Sequence, residues 1–145
     1  MLEGVHALLT TIEKVLLLQG VDIFLETETE HLAKVAAIAQ EVRFATGTII
    51  FREGEPSDAL YVVLEGTVSL RKDELEKTLV REKETFGMWA LLDESPRLVT
   101  AVAVAETRTL KIEREYLYDV LSSHFDIVRG ILKCLVRMIR RSLEK

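Results

Sequence analysis

The sequence is poor in cysteine, proline and aromatic residues, and its apolar runs are short. Its single cysteine, Cys134, allows no intramolecular disulfide and no cysteine-based metal site. No apolar run approaches the roughly 18 residues that cross a bilayer. The N-terminus also lacks a basic segment followed by an apolar one. We therefore expect a cytoplasmic protein without a membrane span.

The chain also lacks an excess of positive charge. Its 19 basic and 24 acidic residues give a formal net charge of −5 at pH 7, which does not suit direct binding of nucleic acid. With 145 residues, 48% of them hydrophobic, the chain has the length of one domain and enough apolar surface for one core. We expect residues 1–145 to form a single domain.

No catalytic or metal-binding pattern stands out. The three histidines, His6, His31 and His124, are far apart and match no metal-ligand spacing. The sequence contains no Walker loop, no GxSxG and no HExxH, and Ser57 and Asp58 in GEPSD are typical of a turn. We therefore expect no metal, no catalytic residue and no enzymatic activity.

Helical periodicity is present in the N-terminal quarter of the sequence. Thr10 and the glutamate three residues later have the spacing of a capping box before a helix that stops at Gly20. Thr27 and Glu30 repeat that spacing before a second amphipathic helix. These patterns predict helices over about residues 10–40.

From residue 41 the pattern changes to short β-branched and aromatic runs separated by turn signals. About seven such runs follow one another at a spacing of roughly 8 to 12 residues. This spacing predicts a mainly β fold, an antiparallel double-stranded β-helix or jelly-roll-like β-roll over about residues 41–112. Helical periodicity then returns on both sides of Ser122 and Ser123, which predicts a C-terminal helix pair over about residues 113–141.

The stretch FGMWALLDESPR places a glycine, a helix start and an arginine close together. Gly87 permits a tight backbone before MWALL, whose first N–H groups suit an anion. Arg97 carries the rigid fork that matches phosphate oxygens. On these residues alone, an anion site and an ordinary strand-to-strand crossover with an exposed arginine both remain open.

A wider set of features accompanies that stretch: Gly54, Glu55, the strand LYVV, Gly66, Phe86, Gly87, Ala90, Leu91 and Arg97. With them, the chain from Thr10 to Arg141 resembles the cyclic-nucleotide-binding domain family of the catabolite-activator type. The resemblance implies a regulatory domain with a phosphate-binding cassette, FGE-ALL-R. In that cassette backbone amides and the arginine hold a cyclic phosphate, and the glutamate binds the ribose 2′-hydroxyl.

The resemblance implies a cyclic nucleotide, cyclic AMP or cyclic GMP, as the ligand, with no other cofactor. The implied ligand-binding residues are Leu70, Gly87, Met88, Trp89, Ala90, Leu91, Arg97, Leu98 and Val99, with Leu70 near the base and Trp89 favoured as a core residue.

The sequence departs from the family pattern at several positions. Met88 replaces the cassette glutamate, Leu98 and Val99 replace a small pair, and Lys83 replaces a glycine. Loss of a hydrogen bond to a carboxylate costs about 1.5–3 kcal/mol, or roughly 10- to 150-fold in affinity. We therefore expect ligand binding to be weakened or lost.

Two functions follow from these observations. One is a sensor whose C-terminal helices close over the nucleotide, and the other is a ligand-independent interaction or dimerisation scaffold within a larger protein. The C-terminal helix carries Ile131, Leu135 and Ile139 on one side, a stripe that fits a homodimer or docking to another domain. Its basic side is typical of a solvated face.

Overall fold

The computed structural model describes residues 9–144, apart from the side chains of residues 89–91; His6 lies outside that range. The N-terminal part forms helix α1 (Thr11–Leu18), a short 3₁₀ turn (Asp22–Phe24) and helix α2 (Thr29–Ile38). The capping box predicted at Thr10 is present. The Thr10 hydroxyl accepts from the Glu13 backbone at 3.1 Å, and the Glu13 carboxylate accepts from the Thr10 backbone at 2.8 Å.

The second predicted cap, at Thr27, is wrong. Helix α2 begins after Glu28, whose side chain makes no capping bond. The 3₁₀ turn intervenes and the Thr27 amide bonds to the carbonyl oxygen of Phe24 at 3.0 Å. Thr27 is buried there, and its hydroxyl has no hydrogen-bond partner within residues 9–144. The threonine therefore belongs to a packing contact and not to a helix end.

The middle of the chain contains the predicted β-roll, with one strand more than expected. The strands are β1 (Ala39–Phe44), β2 (Ile49–Phe51), β3 (Ala59–Glu65), β4 (Val68–Lys72), β5 (Leu75–Val80), β6 (Thr85–Phe86), β7 (Thr100–Ala103) and β8 (Thr107–Glu113). The roll thus starts at residue 39, directly after α2, and not at residue 41. Strand β6 has only two residues, too few for an alternating pattern, and is recognised only by its pairing with β3.

The strands form two antiparallel four-stranded sheets, in the orders β1-β8-β3-β6 and β2-β7-β4-β5. This arrangement confirms the predicted fold class. Between the sheets lies an aromatic cluster in which Tyr61 stacks on Phe86 with 5.1 Å between ring centroids, and Phe51 packs on both. Strand β7 alternates buried and half-buried residues, whereas β3 is buried on both faces from Ala59 to Val63.

Within the described residues, three further helices follow the N-terminal ones: α3 (Met88–Asp93), α4 (Arg114–Ser123) and α5 (Phe125–Glu144). The break between the last two falls at His124, directly after the predicted Ser122–Ser123 position. A second core joins these helices to the N-terminal ones over the other face of β3 and β8. Within residues 9–144, no helix combines the length and apolar character that crossing a membrane requires.

Candidate functional site

The chain turns sharply at Gly87, between β6 and α3. Its φ angle is +87°, in the left-handed region that only glycine enters at low cost. A β-carbon at this position would lie 2.7 Å from Nη1 of Arg97 and 3.2 Å from the carbonyl oxygen of Ala59. Glycine is therefore needed both for the turn and for the close approach of the arginine.

Arg97 is held inside the roll, with only 3% of its surface exposed. Its Nη2 donates to the carbonyl oxygen of Ala59 at 2.6 Å, and its Nη1 donates to that of Gly87 at 3.2 Å. The guanidinium carbon lies 4.0 Å from the centroid of the Phe51 ring, a contact that stabilises a cation. An ordinary crossover with an exposed arginine is therefore the wrong interpretation of this stretch.

The backbone around Arg97 is anchored to the turn that follows β2. The Arg97 amide donates to the carbonyl oxygen of Glu55 at 2.8 Å, and the Gly54 amide donates to that of Arg97 at the same distance. The Gly54–Glu55 pair and Arg97 are more than forty residues apart in the sequence. The structure brings them together as one unit, which fixes the position of the arginine.

The charge of Arg97 is only partly balanced. Burial lowers the pKa of the guanidinium, while the nearby Asp58 carboxylate opposes that effect. The shortest distance between them, from Nη2 to Oδ1, is 3.5 Å, and the Asp58 side chain is 75% exposed. The Nε of Arg97 has no hydrogen-bond partner among the residues described. An arginine remains charged in proteins, so this site holds a buried cation whose Nε–H is left without an acceptor among the described residues.

A cavity of about 240 Å³ opens beside Gly87, and three of the predicted site residues, Leu70, Gly87 and Met88, line it. Its other walls include Asp22, Thr78, Val80, Thr85, Phe86 and, from α5, Met138. Gly87 therefore connects the cavity to Arg97, because its carbonyl oxygen accepts the Arg97 hydrogen bond. Met88 is 5% exposed and also belongs to the second core, between the helices and the sheet of β3 and β8, which is called the helix-side core below.

The remaining predicted residues lie apart from this group or outside the described set. Leu98 leaves 57% of its surface exposed, and its carbonyl oxygen accepts from Lys72 Nζ at 3.4 Å. Val99 is partly buried against the aromatic core between the sheets. The side chains of Trp89, Ala90 and Leu91 are outside the described residues, so the expected core packing of Trp89 stays a prediction.

The sequence alone did not indicate Asp22 as a site residue. Its carboxylate accepts from Thr85 Oγ1 at 3.0 Å, although the two residues are sixty-three positions apart in the sequence. The Asp22 amide donates to the carbonyl oxygen of Lys83 at 3.2 Å. Lys83 itself has a φ angle of +71°, the conformation for which glycine is suited. No local pattern could have joined these residues, since only the packing of the 3₁₀ turn against β6 does so.

Comparison with known proteins identifies the class of domain. The family model described as "Cyclic nucleotide-binding domain" matches residues 41–124, which is more than half of the chain. The chain therefore belongs to the cyclic nucleotide-binding domain family, as the resemblance implied. The match runs from β1 to the end of α4 and includes Leu70, Gly87 and Arg97.

Two relatives are regulators by name. The chain is 30% identical over 125 residues to the CRP-like cAMP-activated global transcriptional regulator of Mycobacterium tuberculosis, covering 83% of this chain and 56% of that protein. It is 29% identical over 114 residues to the cAMP-dependent protein kinase regulatory subunit of Aspergillus niger, covering 77% and 28%. The chain thus spans about half the length, or less, of these curated relatives.

A solved structure agrees with the family assignment. The N-terminal domain of a transcriptional regulator from Streptomyces coelicolor A3(2) superimposes with a TM-score of 0.77 at 29% identity, covering 88% of this chain and 93% of that one. Together the family match, the relatives and the fold identify a cyclic nucleotide-binding regulatory domain.

Proposed function

We propose that this domain senses cyclic AMP or cyclic GMP in the cavity beside Gly87, with the cyclic phosphate bound by Arg97 and the base near Leu70. The observation that carries the proposal is the spare Nε donor of the buried Arg97. A buried charge costs free energy unless it is paired, and Asp58 is too exposed to compensate it fully. A phosphate would supply the missing counter-charge and the missing acceptor.

We propose further that the affinity is low and that binding is coupled to α5. Met88 offers only a thioether at the cassette position, so that position itself contributes no strong acceptor to a ribose hydroxyl. The cavity, about 240 Å³, is smaller than the roughly 300 Å³ at which small-molecule sites begin. Its α5 wall is Met138, an adaptable side chain. A nucleotide that displaces Met138 would bind more tightly to the domain in one position of α5 than in another. Binding would then change the position of α5 and so transmit a signal.

Calorimetric titration with cyclic AMP and with cyclic GMP tests the sensor proposal. We expect saturable binding with a dissociation constant between micromolar and submillimolar. Arg97→Gln should abolish that binding, because it removes the charge and the planar fork and leaves a shorter, neutral polar side chain. Arg43→Ala, at an exposed arginine of β1, is the control and should leave binding unchanged.

The variants need a folding check, because Arg97 is buried. Circular dichroism and thermal melting should show that Arg97→Gln is still folded at the titration temperature. Neither heat nor a thermal shift with the native chain at millimolar cyclic AMP and cyclic GMP would overturn the sensor proposal. Unchanged binding in a folded Arg97→Gln protein would overturn the role of Arg97.

The outer face of α5 supports a second function, pairing with another copy of this chain. Leu132, Val136, Ile139 and Leu143 are between 51% and 80% exposed, and their 4-3-4 spacing is that of a coiled-coil seam. This seam differs from the predicted stripe, since Ile131 is buried in the helix-side core and Leu135 is packed against it, which leaves only Ile139 on the outer face.

The seam suits a parallel two-stranded pairing. In the heptad that the seam defines, Lys133 and Arg140 occupy flanking e positions. In a parallel pair they would lie beside Val128 and Leu135 of the other copy, so no like charges oppose each other at these flanking positions. Sedimentation velocity should then show a dimer in the absence of nucleotide, which Val136→Lys or Ile139→Lys converts to a monomer. Ile12→Lys is the control, because Ile12 lies on α1 and is 73% exposed. A native monomer at tens of micromolar would contradict the pairing.

A further inference from the structure

The cavity beside Gly87 contains a carboxylate that the cassette pattern does not include, that of Asp22. We propose that Asp22 accepts the hydrogen bond of the ribose 2′-hydroxyl and thereby selects a ribose over a deoxyribose nucleotide. The inference rests on the proposed nucleotide site and names a specificity residue within it. Asp22 belongs to the 3₁₀ turn, far in sequence from α3, and is half-buried.

The hydrogen bonds of Asp22 leave one oxygen with capacity to spare. Oδ1 accepts from the Ile23 amide at 2.6 Å and from Thr85 Oγ1 at 3.0 Å. Oδ2 accepts only a longer bond, from the Thr85 amide at 3.3 Å, among the contacts of the described chain. An ionised carboxylate has about four acceptor positions, roughly two on each oxygen. Oδ2 can therefore take a hydroxyl donor without losing an existing bond.

The same contacts fix the Asp22 carboxylate relative to the short segment that also bonds to Arg97. Thr85 lies on β6, two residues before Gly87, and Asp22 bonds to it through both backbone and side chain. Gly87 in turn accepts from Arg97. A donor-rich group, Arg97, and an acceptor, Asp22, are thus both bonded to the short segment from Thr85 to Gly87. A cyclic nucleotide presents these two complementary groups, the phosphate and the 2′-hydroxyl, on one rigid ring system.

Neighbouring groups are weaker acceptors for the hydroxyl. Met88 contributes a thioether, which accepts poorly. Glu84 also lines the cavity, but it is exposed and its Oε1 accepts from the Arg81 amide at 2.7 Å. Water competes more strongly for an exposed carboxylate than for a half-buried one. Asp22 is therefore the better-placed acceptor.

The test compares the affinity for the tighter-binding of cyclic AMP and cyclic GMP with the affinity for its 2′-deoxy form. In the native chain we expect the ribose form to bind at least about tenfold more tightly, the lower end for a hydrogen bond to a charged group. In Asp22→Asn, which keeps the shape but loses the charge and one acceptor oxygen, that ratio should fall to about threefold or less. The ratio cancels any general loss of folding or phosphate binding.

Two further variants sharpen the test. Glu84→Gln removes the other cavity carboxylate and should leave the ratio unchanged. Thr85→Val removes one donor that positions Asp22 but leaves its carboxylate, so the ratio should fall less than in Asp22→Asn. An equal ratio in the native and folded Asp22→Asn chains overturns the inference, as does a native ratio near one. No binding of any cyclic nucleotide overturns the sensor proposal itself, a distinct result.

Discussion

Nη1 of Arg97 donates to the carbonyl oxygen of Gly87 at 3.2 Å and fills the space that a side chain at position 87 would need. The turn before α3 and the buried cation therefore depend on each other. A change at the glycine should disturb the arginine as well as the local backbone, and the two effects can be separated by comparison with another left-handed glycine.

Gly87→Ala should destabilise the domain by about 2–4 kcal/mol, because a left-handed alanine costs about 1–2 kcal/mol and the clash with Arg97 adds to it. Gly47 has a similar φ angle of +90°, but a β-carbon added there would meet no atom of the described residues within 4 Å. Gly47→Ala should therefore lower the free energy of unfolding only by the cost of a left-handed alanine, about 1–2 kcal/mol. Urea unfolding measures both, and equal losses would contradict the close packing of Arg97 on Gly87.

Thr10 and Thr27 have the same sequence spacing to a following glutamate, and the structure gives them different roles. Thr10→Ala should lower the free energy of unfolding by about 1 kcal/mol, since it removes a helix cap. Thr27→Val should be neutral or stabilising, because the buried Thr27 hydroxyl has no partner in the described structure. A substantial loss of stability in the Thr27→Val chain, measured by urea unfolding, would show that its hydroxyl is bonded.

Gly130 allows α5 to approach the 3₁₀ turn. A β-carbon there would lie 2.5 Å from Thr27 Oγ1 and 3.2 Å from the carbonyl oxygen of Glu26. Gly130→Ala should therefore destabilise the domain by about 1–3 kcal/mol, although alanine favours a helix by roughly 1 kcal/mol. Adding Thr27→Ala should recover part of the loss, and thermal melting of the two single variants and the double variant measures the coupling. Strictly additive effects would contradict the contact.

Tyr61 should make stability depend on pH in the alkaline range. Burial raises the pKa of its hydroxyl above the ordinary value of 10.0. The folded state then holds the phenolic proton more tightly than the unfolded state. The stabilisation is complete below about pH 10 and is lost as the pH rises through the folded-state pKa.

Tyr61→Phe keeps the ring that stacks on Phe86 and removes this titration. Urea unfolding at pH 8 and above pH 10 should show a smaller loss of stability in Tyr61→Phe than in the native chain. Burial also raises the pKa of Cys134, but that thiol is present in both proteins and cancels in the comparison. Tyr116→Phe, at an exposed position, is the control and should behave as the native chain does.

The periodicity of apolar residues determined most of the fold from the sequence. Apolar residues have helical spacing before residue 39, strand-like spacing after it and helical spacing again after residue 113. This spacing reflects which face of each element must be buried, and it can be read from each local stretch of the sequence. The left-handed turn at Gly87 could also be predicted, because such a turn needs glycine, whereas the burial of Arg97 could not, since its own stretch fitted an exposed arginine equally well. The two-residue strand β6 and the 3₁₀ turn were missed, since neither is long enough to show a period.

Only the tertiary structure decided how distant residues meet. Asp22 and Thr85 share hydrogen bonds across sixty-three positions, Gly130 lies against Thr27, and Arg97 is enclosed by Phe51, Ala59 and Gly87. It also decided which apolar residues of α5 face the core and which face outward. A sequence specifies burial through local spacing, whereas a contact between distant segments depends on the path of the whole chain, which no single stretch contains.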